Sequence, residues 1–270
     1  MAPVLRCRDP QDALASISAL YDAEQSEIVR VLPRAADRSQ TDLDDPIAAM
    51  AGALSRELAK MPRTPSSIHY FHGTRARDVT VFARDGLMSL EAVLDAMWRE
   101  VRSLAPELSE NELLVLRSDL TAGRVGPSTY GTRVADSQHH GPCGHLIRDA
   151  LVRPRDYGSV DYLAGAEIMI DICHAIGDRF QLDASARYIE QTTPCVVEFS
   201  APAERLGHAL SAALWYLESG LRGERTTSAN WGYSGHGLAI APTRIISVLS
   251  RQELLKSTPG GEQRQDGATR

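Results

Sequence analysis

This chain has few lysines, few cysteines and no long apolar run. Lys60 and Lys256 are its only lysines, so arginine carries almost all of the positive charge. Because the chain is also rich in alanine, we attribute this bias to genome composition and do not take each arginine for a phosphate contact. No apolar run approaches the ~18 residues of a membrane span, so no transmembrane helix is predicted. The four cysteines are widely spaced, which excludes a disulfide framework.

The remaining composition is that of an ordinary globular protein. Of the 270 residues, 43% are hydrophobic and 24% are charged, and the formal net charge is −6. This excludes a mostly disordered, collagen-like or coiled-coil chain and disfavours a bulk nucleic-acid coat, although a local basic groove stays open. Asp9 and Asp12 occupy the place where a signal peptide would have its apolar stretch, so a cytoplasmic location is expected.

The order of helical and strand patterns predicts an α+β fold with a helical N-terminal part. We expect a helical region over 1–62, a mixed domain over 63–252 and a disordered tail over 253–270, with Pro62 and Pro65 marking the first boundary. The predicted helices are 11–31, 45–61, 76–84, 89–104, 110–121, 161–176 and 204–219. The predicted strands are 67–71, 193–202, 236–242 and 244–250, and the main predicted loops are 34–45, 122–132 and 223–235.

The sharpest local feature is IHYFHGTRARDVTVFARDGL, residues 68–87. A strand leads into His-Gly-Thr, and a short helix then runs to a Gly-Leu stop. Gly73 lets the backbone approach a ligand closely, while His72 and Thr74 offer hydrogen bonds beside it. The structural alternative is a plain strand-to-helix turn with a threonine cap.

This strand-HGT-helix-GL pattern resembles the first motif of the ADP-ribosyltransferase fold, found in poly-ADP-ribose-polymerase-like enzymes, bacterial toxins and RNA 2′-phosphotransferases. The resemblance implies a split antiparallel β core with helical insertions. It also implies that His72 bonds the adenosine ribose of NAD and that the Gly73 backbone holds the nicotinamide amide. Thr74 and Arg75 would line the same pocket.

The family's second motif carries a tyrosine that stacks on nicotinamide. GPSTYGTRVADS, residues 126–137, places Tyr130 in a glycine-rich turn, and Tyr130 is the candidate. A tyrosine face against a flat ring contributes about 1 kcal/mol beyond burial. Tyr162 and Tyr188 are less well placed, and a plain turn tyrosine is the structural alternative.

The family's third motif is a C-terminal strand with a catalytic glutamate. SGHGLAIAPTRIISVLS, residues 234–250, has the corresponding shape, but His236 stands where the glutamate would be. In the family this glutamate stabilises an oxocarbenium-like transition state. Three alternatives follow: another glutamate serves, His236 serves in different chemistry, or the fold binds its ligand without turnover. The candidate replacements are Glu198, Glu190 and Glu224.

The resemblance therefore implies an enzyme that cleaves the nicotinamide–ribose bond of NAD, its substrate, and transfers ADP-ribose to a macromolecular acceptor, protein or nucleic acid. It would serve as a toxin, a defence factor or a housekeeping enzyme, with His72, Tyr130, Glu198 and His236 as candidate catalytic residues. No metal centre is expected for this chemistry. The alternative within the same fold is an inactive module that binds NAD, ADP-ribose or a nucleic-acid end. The chain has no GxGxxG, P-loop or GxSxG motif, which disfavours Rossmann dehydrogenases, NTPases and α/β-hydrolases.

A second alternative from another class is a zinc-stabilised interaction protein. HHGPCGH, residues 139–145, groups three histidines with Cys143, and Cys173 or His174 would complete the ligand set. No repeated CxxC supports it, and the structural alternative is a polar loop. His139 or His140 would otherwise contact the substrate, since they follow the Tyr130 turn closely.

Overall fold

The computed structural model describes residues 2–40, 48–126 and 129–256, with side chains described up to residue 254. Its helices are α1 Pro10–Tyr21, α2 Gln25–Ser39, α3 Ala49–Leu58, α4 Val81–Asp85, α5 Leu90–Leu104, α6 Glu110–Thr121, α7 Tyr130–Ala135, α8 Asp149–Val152, α9 Glu167–Phe180, α10 Ala184–Gln191, α11 Leu206–Leu221 and α12 Arg251–Lys256. Short 3₁₀ turns span Ser137–His139, Pro154–Tyr157, Thr227–Ala229 and Pro242–Arg244. Its strands are β1 Val4–Leu5, β2 Ser67–Ala76, β3 Cys143–His145, β4 Thr193–Ala201, β5 Gly232–Ser234 and β6 Ile245–Ser250.

The six strands form one sheet in the order β5-β3-β2-β4-β6, and β1 pairs with β2. The pairing of β2 with β4 runs from Ile68↔Ala201 to Ala76↔Thr193 and is antiparallel throughout. Among the strands of the described residues, only β1 is parallel to its neighbour. Since β4 occupies one edge of β2, β1 and β3 share the other edge. The expected α+β class is confirmed.

The N-terminal helices share one core with the sheet. Buried side chains of α1, α2, α3 and α11, such as Ile17, Leu32 and Leu214, belong to the same cluster as Tyr70 and Phe199 of the central strands. The expected division at residue 62 therefore marks a change of secondary structure and does not separate two hydrophobic cores. A second cluster joins α5, α6, α7, α9 and α10 away from the sheet.

Several predicted elements are found where expected. Helix α5 matches the prediction for 89–104, and α6 matches 110–121 and carries the predicted capping box between Ser109 and Glu112. Strand β4 and helix α11 agree with their predictions to within two residues at each end. These elements have strong apolar periodicity or capping residues of their own. Their positions therefore follow from local sequence and do not depend on long-range contacts.

The N-terminal predictions need correction. The predicted helix 11–31 is two helices, because Asp22 takes a left-handed conformation and ends α1. Part of the predicted loop 34–45 is helical, since α2 buries Ala35 and Ala36 beside Leu32 and continues to Ser39. The predicted helix start at Asp45 and Pro46 lies outside the described residues.

The predicted boundaries around the HGT motif are also wrong. β2 continues through His72, Gly73 and Thr74 to Ala76 because β4 pairs with it along its whole length. Helix α4 therefore starts at Val81, five residues later than predicted, and stops at Gly86 as expected. Farther on, α9 starts at Glu167 where a start at 161 was predicted.

At the C-terminal end, the predicted strand 236–242 is absent from the described structure. β5 comes earlier, at Gly232–Ser234, and Ile240 makes only an isolated bridge to Leu87. Of the two predicted closing strands only 244–250 is found, as β6, and β6 and β5 lie at opposite edges of the sheet. The first residues of the expected tail, 253–256, belong to α12, and its remainder lies outside the described residues.

Candidate functional site

Two adjoining cavities open along the second half of β2, and together they form what we call the β2 cleft. The larger has a volume of about 400 Å³ and the smaller about 150 Å³. Both are lined by His72, Gly73, Cys143 and Tyr162. The wall of the larger cavity is mostly apolar and includes Phe82, Leu87, Leu90, Met97 and Tyr188.

The cleft opens where β3 stops. The register Phe71↔His145 places Cys143, the first residue of β3, opposite Gly73. Among the described residues, no strand covers Thr74–Ala76 on that edge of β2. The strand edge therefore borders the cavity directly, as it does in many ligand sites where backbone must approach a ligand.

The wall facing β2 is held by backbone hydrogen bonds. Leu87 and Ile240 exchange two of them, at 3.0 and 2.8 Å, and the Leu90 amide donates to the His140 carbonyl at 2.7 Å. Gly86 makes this approach possible, because its φ of +77° suits glycine and a Cβ there would lie 2.0 Å from the Ile240 carbonyl oxygen. These bonds connect the segments around Leu87, His140 and Ile240, which close the cleft on this side.

His72 presents a hydrogen-bond acceptor to the cleft. Its Nδ1 lies 2.7 Å from the carbonyl oxygen of Cys143, and since a carbonyl only accepts, Nδ1 carries the proton. Burial lowers the pKa of His72 below its ordinary 6.5, so the ring is neutral at pH 7. Nε2 then keeps its lone pair, and it has no hydrogen-bond partner among the described residues.

Gly73 and Tyr162 meet across the cleft. A Cβ on Gly73 would lie 2.9 Å from Leu151 Cδ2 and 3.0 Å from Tyr162 Cβ, so only glycine lets the tyrosine come this close without displacement. The Tyr162 hydroxyl donates to Glu167 Oε1 at 3.4 Å. Glu167 also pairs with Arg133, so it is fixed from two sides.

Thr74 and Arg75 line the larger cavity, and the Arg75 guanidinium is largely engaged. It donates to the carbonyl oxygens of Leu163, Ile189 and Thr192, each at 2.8 Å, and to the Thr192 hydroxyl at 2.9 Å. Four of its five N–H groups are therefore used to hold the loops around the cleft. Thr74 is buried on the strand.

The structure does not bring Tyr130 into the cleft, where it was predicted to lie. Tyr130 begins helix α7, where a glycine-rich turn was expected, and its side chain is completely buried in the second core cluster. Its hydroxyl accepts a 2.9 Å hydrogen bond from Trp98 Nε1. The aromatic side chains that do line the cleft are Phe82, Tyr162 and Tyr188 in the larger cavity, and Tyr162 and Tyr233 in the smaller.

Glu198 is likewise placed away from the cleft. It is 3% exposed and accepts hydrogen bonds from Arg8, His69 Nδ1 and Ser247, at 2.8–3.1 Å. Burial by itself would raise the pKa of Glu198, but these hydrogen bonds and the Arg8 charge outweigh it and lower the pKa. Glu198 therefore ties the N-terminal segment to the sheet and does not line the β2 cleft.

The other candidates for the family's glutamate do not line the cleft either. His236 is exposed on a turn with a φ of +45°, outside any strand. Glu190 and Glu224 are also exposed. The carboxylates that do line the larger cavity are those of Glu100, Glu167 and Asp85.

Sequence reasoning missed Glu167 for an identifiable reason. The predicted helix 161–176 placed Tyr162 and Glu167 on one continuous helix, whereas α9 begins only at Glu167. The intervening loop brings Tyr162 back against Gly73. The one available signal was the proximity of a tyrosine and an acidic residue just before an apolar helix.

The segment HHGPCGH does not gather into a metal centre. No group of three or more His, Cys, Asp or Glu side chains in the described ranges is arranged to hold a metal ion. His145 Nδ1 and Nε2 instead contact Asn230 Oδ1 and Ser159 Oγ, each at 3.2 Å. Cys173 is buried in the second core cluster, while His174 is exposed. The zinc alternative therefore loses its structural basis in these residues.

Comparisons with protein families, with curated proteins and with solved structures found no match to this chain. The likeness to ADP-ribosyltransferases therefore rests on the motif residues themselves. Among the described residues, no helix is both long and apolar enough to cross a membrane.

Proposed function

We propose that the β2 cleft is an NAD site and that the protein is an ADP-ribosyltransferase of the HGT kind. The observation that carries the proposal is the meeting of His72, Gly73 and Tyr162 in one cleft at an uncovered strand edge. The volume of the larger cavity, about 400 Å³, lies within the range usual for small-molecule sites.

Each of these residues has a role suited to NAD. The lone pair on His72 Nε2 accepts a hydrogen bond from a ribose hydroxyl. The Gly73 backbone, free of a side chain, approaches the nicotinamide amide. The Tyr162 ring takes the stacking role that the resemblance assigned to Tyr130, and the apolar wall around Phe82 and Met97 excludes water from the rest of the ligand.

Glu167 is the carboxylate we propose for the transition state. Cleavage of the nicotinamide–ribose bond leaves positive charge on the ribose, which a fixed carboxylate stabilises. Arg133 and the Tyr162 hydroxyl hold Glu167 in the cleft wall, so it needs little reorganisation as this charge develops. ADP-ribose then passes to a protein or nucleic-acid acceptor, or to water when no acceptor is present.

Two measurements test this proposal: the release of nicotinamide when the purified chain is incubated with NAD, and the affinity for NAD from a binding titration. We expect His72→Ala to weaken NAD binding about tenfold, the effect of one lost hydrogen bond. We expect Glu167→Gln to slow release about 100-fold while NAD still binds. His174→Ala is the matched control, because this exposed histidine on α9 does not line the cleft. Equal behaviour of the His72 and His174 variants would contradict the proposal.

A second candidate is a binding module without turnover. It is favoured by the ion pair with Arg133 that already neutralises Glu167. NAD or ADP-ribose binding that depends on His72, with no nicotinamide release in the presence of lysate proteins or nucleic acid, would select this candidate. If the chain bound neither NAD nor ADP-ribose, both the transferase and the binding module would be contradicted.

A further inference from the structure

A third cavity, of about 360 Å³, lies at the start of α1 between α11 and the segment 148–157. Three arginines line it, Arg148, Arg153 and Arg225, and we call it the arginine pocket. None of its lining residues lines the β2 cleft. The arginine pocket is therefore a separate site, and its ligand does not depend on whether the β2 cleft binds NAD.

Arg148 is the unusual residue in the arginine pocket. It is only 6% exposed, yet its guanidinium makes no hydrogen bond or ion pair with any described residue. Its backbone amide donates to the Cys7 carbonyl at 3.1 Å, which fixes the start of the side chain. This largely buried charge therefore has only the solvent that reaches the cavity, and an anion that replaced this solvent would gain an ion pair and hydrogen bonds.

The acidic residues in the wall do not serve as this partner. Asp149 pairs with Arg153 at 2.5 Å and accepts from the Tyr216 hydroxyl at 3.1 Å. Asp9 caps α1 by accepting from the Asp12 amide at 2.8 Å. With three arginines against these two carboxylates, the wall keeps an excess of positive charge.

Two further groups in the wall suit an oxyanion. Tyr157 is 1% exposed, and its hydroxyl has no hydrogen-bond partner among the described residues. Burial raises its pKa to about 12, so the hydroxyl stays protonated and can donate. The amino-terminal end of α1, at Pro10 and Gln11, faces the same cavity and adds its positive dipole end.

We infer that the arginine pocket binds the phosphate group of a small phosphorylated metabolite, with Arg148 and the Tyr157 hydroxyl as its main contacts. Arginine pairs with phosphate through parallel N–H donors, and a helix amino terminus favours the same group. The cavity is larger than a phosphate ion, which leaves room for the organic part of the ligand against Pro10 and Tyr157. This inference is independent of the proposed NAD site.

The test is thermal unfolding of the full chain with inorganic phosphate as the probe, at constant ionic strength set with chloride. We expect phosphate at tenfold its dissociation constant to raise Tm by roughly 3 °C. Arg148→Met should abolish the shift, and Tyr157→Phe should weaken phosphate binding severalfold. Arg155→Met is the charge-matched control, since this neighbouring exposed arginine does not line the cavity.

The Arg148 variant is expected to fold. Because methionine removes an unpaired buried charge, Arg148→Met should be at least as stable as the parent chain in phosphate-free buffer. An equal phosphate shift in the parent and Arg148→Met chains would overturn the inference, and so would no shift in the parent. An equal response to acetate would overturn the assignment to phosphate.

Discussion

At the scale of single residues, Glu198 has a role that its neighbours along the chain do not reveal. It alternates with Val197 and Phe199 on β4, a pattern that favours solvent exposure and leaves catalysis as the alternative. In the folded chain Arg8, which lies 190 residues away in sequence, pairs with it at 2.9 Å. Its contribution is to stability, because loss of the charge on this buried carboxylate weakens its contacts with the half-buried Arg8 and the buried His69.

We predict that Glu198→Gln lowers the free energy of unfolding by about 3 kcal/mol at pH 7. Since the folded state lowers the pKa of Glu198, the parent chain gains this stability above the ordinary pKa of 4.5. The gain disappears as the pH falls through the lower folded pKa, where the parent carboxyl is protonated and resembles the amide. Urea denaturation at several pH values measures the difference.

Glu190→Gln provides the control for that series, because Glu190 is exposed on α10. Its effect should stay within about 0.5 kcal/mol at every pH. A Glu198→Gln difference that did not shrink toward low pH would show that the carboxylate charge is not what stabilises the fold.

At the scale of elements, helices α5 and α6 begin with the same residue type but with different capping. Ser109 accepts from the Glu112 amide at the start of α6, and Glu112 in turn accepts from the Ser109 amide at 2.7 Å. Ser89 at the start of α5 makes no side-chain capping bond. Of these two helices, only α6 therefore has a reciprocal cap.

We predict that Ser109→Ala lowers the free energy of unfolding by about 1 kcal/mol, whereas Ser89→Ala changes it by less than about 0.5 kcal/mol. The physical reason is that only Ser109 satisfies an otherwise unpaired amide of the first turn. Parallel urea titrations of the two variants make the comparison. Equal losses would contradict the assigned capping geometry.

At the scale of the whole molecule, the N-terminal helices are part of the structure that holds the sheet. Leu5 and Ile17 are fully buried in the cluster that also contains Tyr70 and Phe199. β1 extends the sheet beside β2. Without this layer one face of the central strands would be exposed to water.

We predict that a chain consisting of residues 63–270 does not fold cooperatively. It would expose the sheet side of the shared core and would also leave Glu198 without Arg8. Thermal unfolding monitored by circular dichroism and the dispersion of amide NMR signals are the measurements. A sharp transition with dispersed amide signals in the truncated chain would contradict the prediction.

The sequence by itself determined the elements whose signals are local. Apolar periodicity and a capping box located α5 and α6, the continuous β-rich run located β4, and Gly86 marked the end of α4. The pattern HGTR also placed His72 and Gly73 at the candidate site. These features depend on near neighbours, whose side chains and backbone preferences are visible in the order of residues.

Only the tertiary structure decided which distant groups share a site. It extended β2 through the HGT motif because β4 pairs along its length, it buried Tyr130 against Trp98, and it brought Tyr162 and Glu167 to the cleft. It also left Arg148 largely buried with no side-chain partner in the described part of the chain. Such outcomes depend on strand pairing and on packing between segments far apart in the chain, and these long-range contacts have no periodicity that the sequence displays.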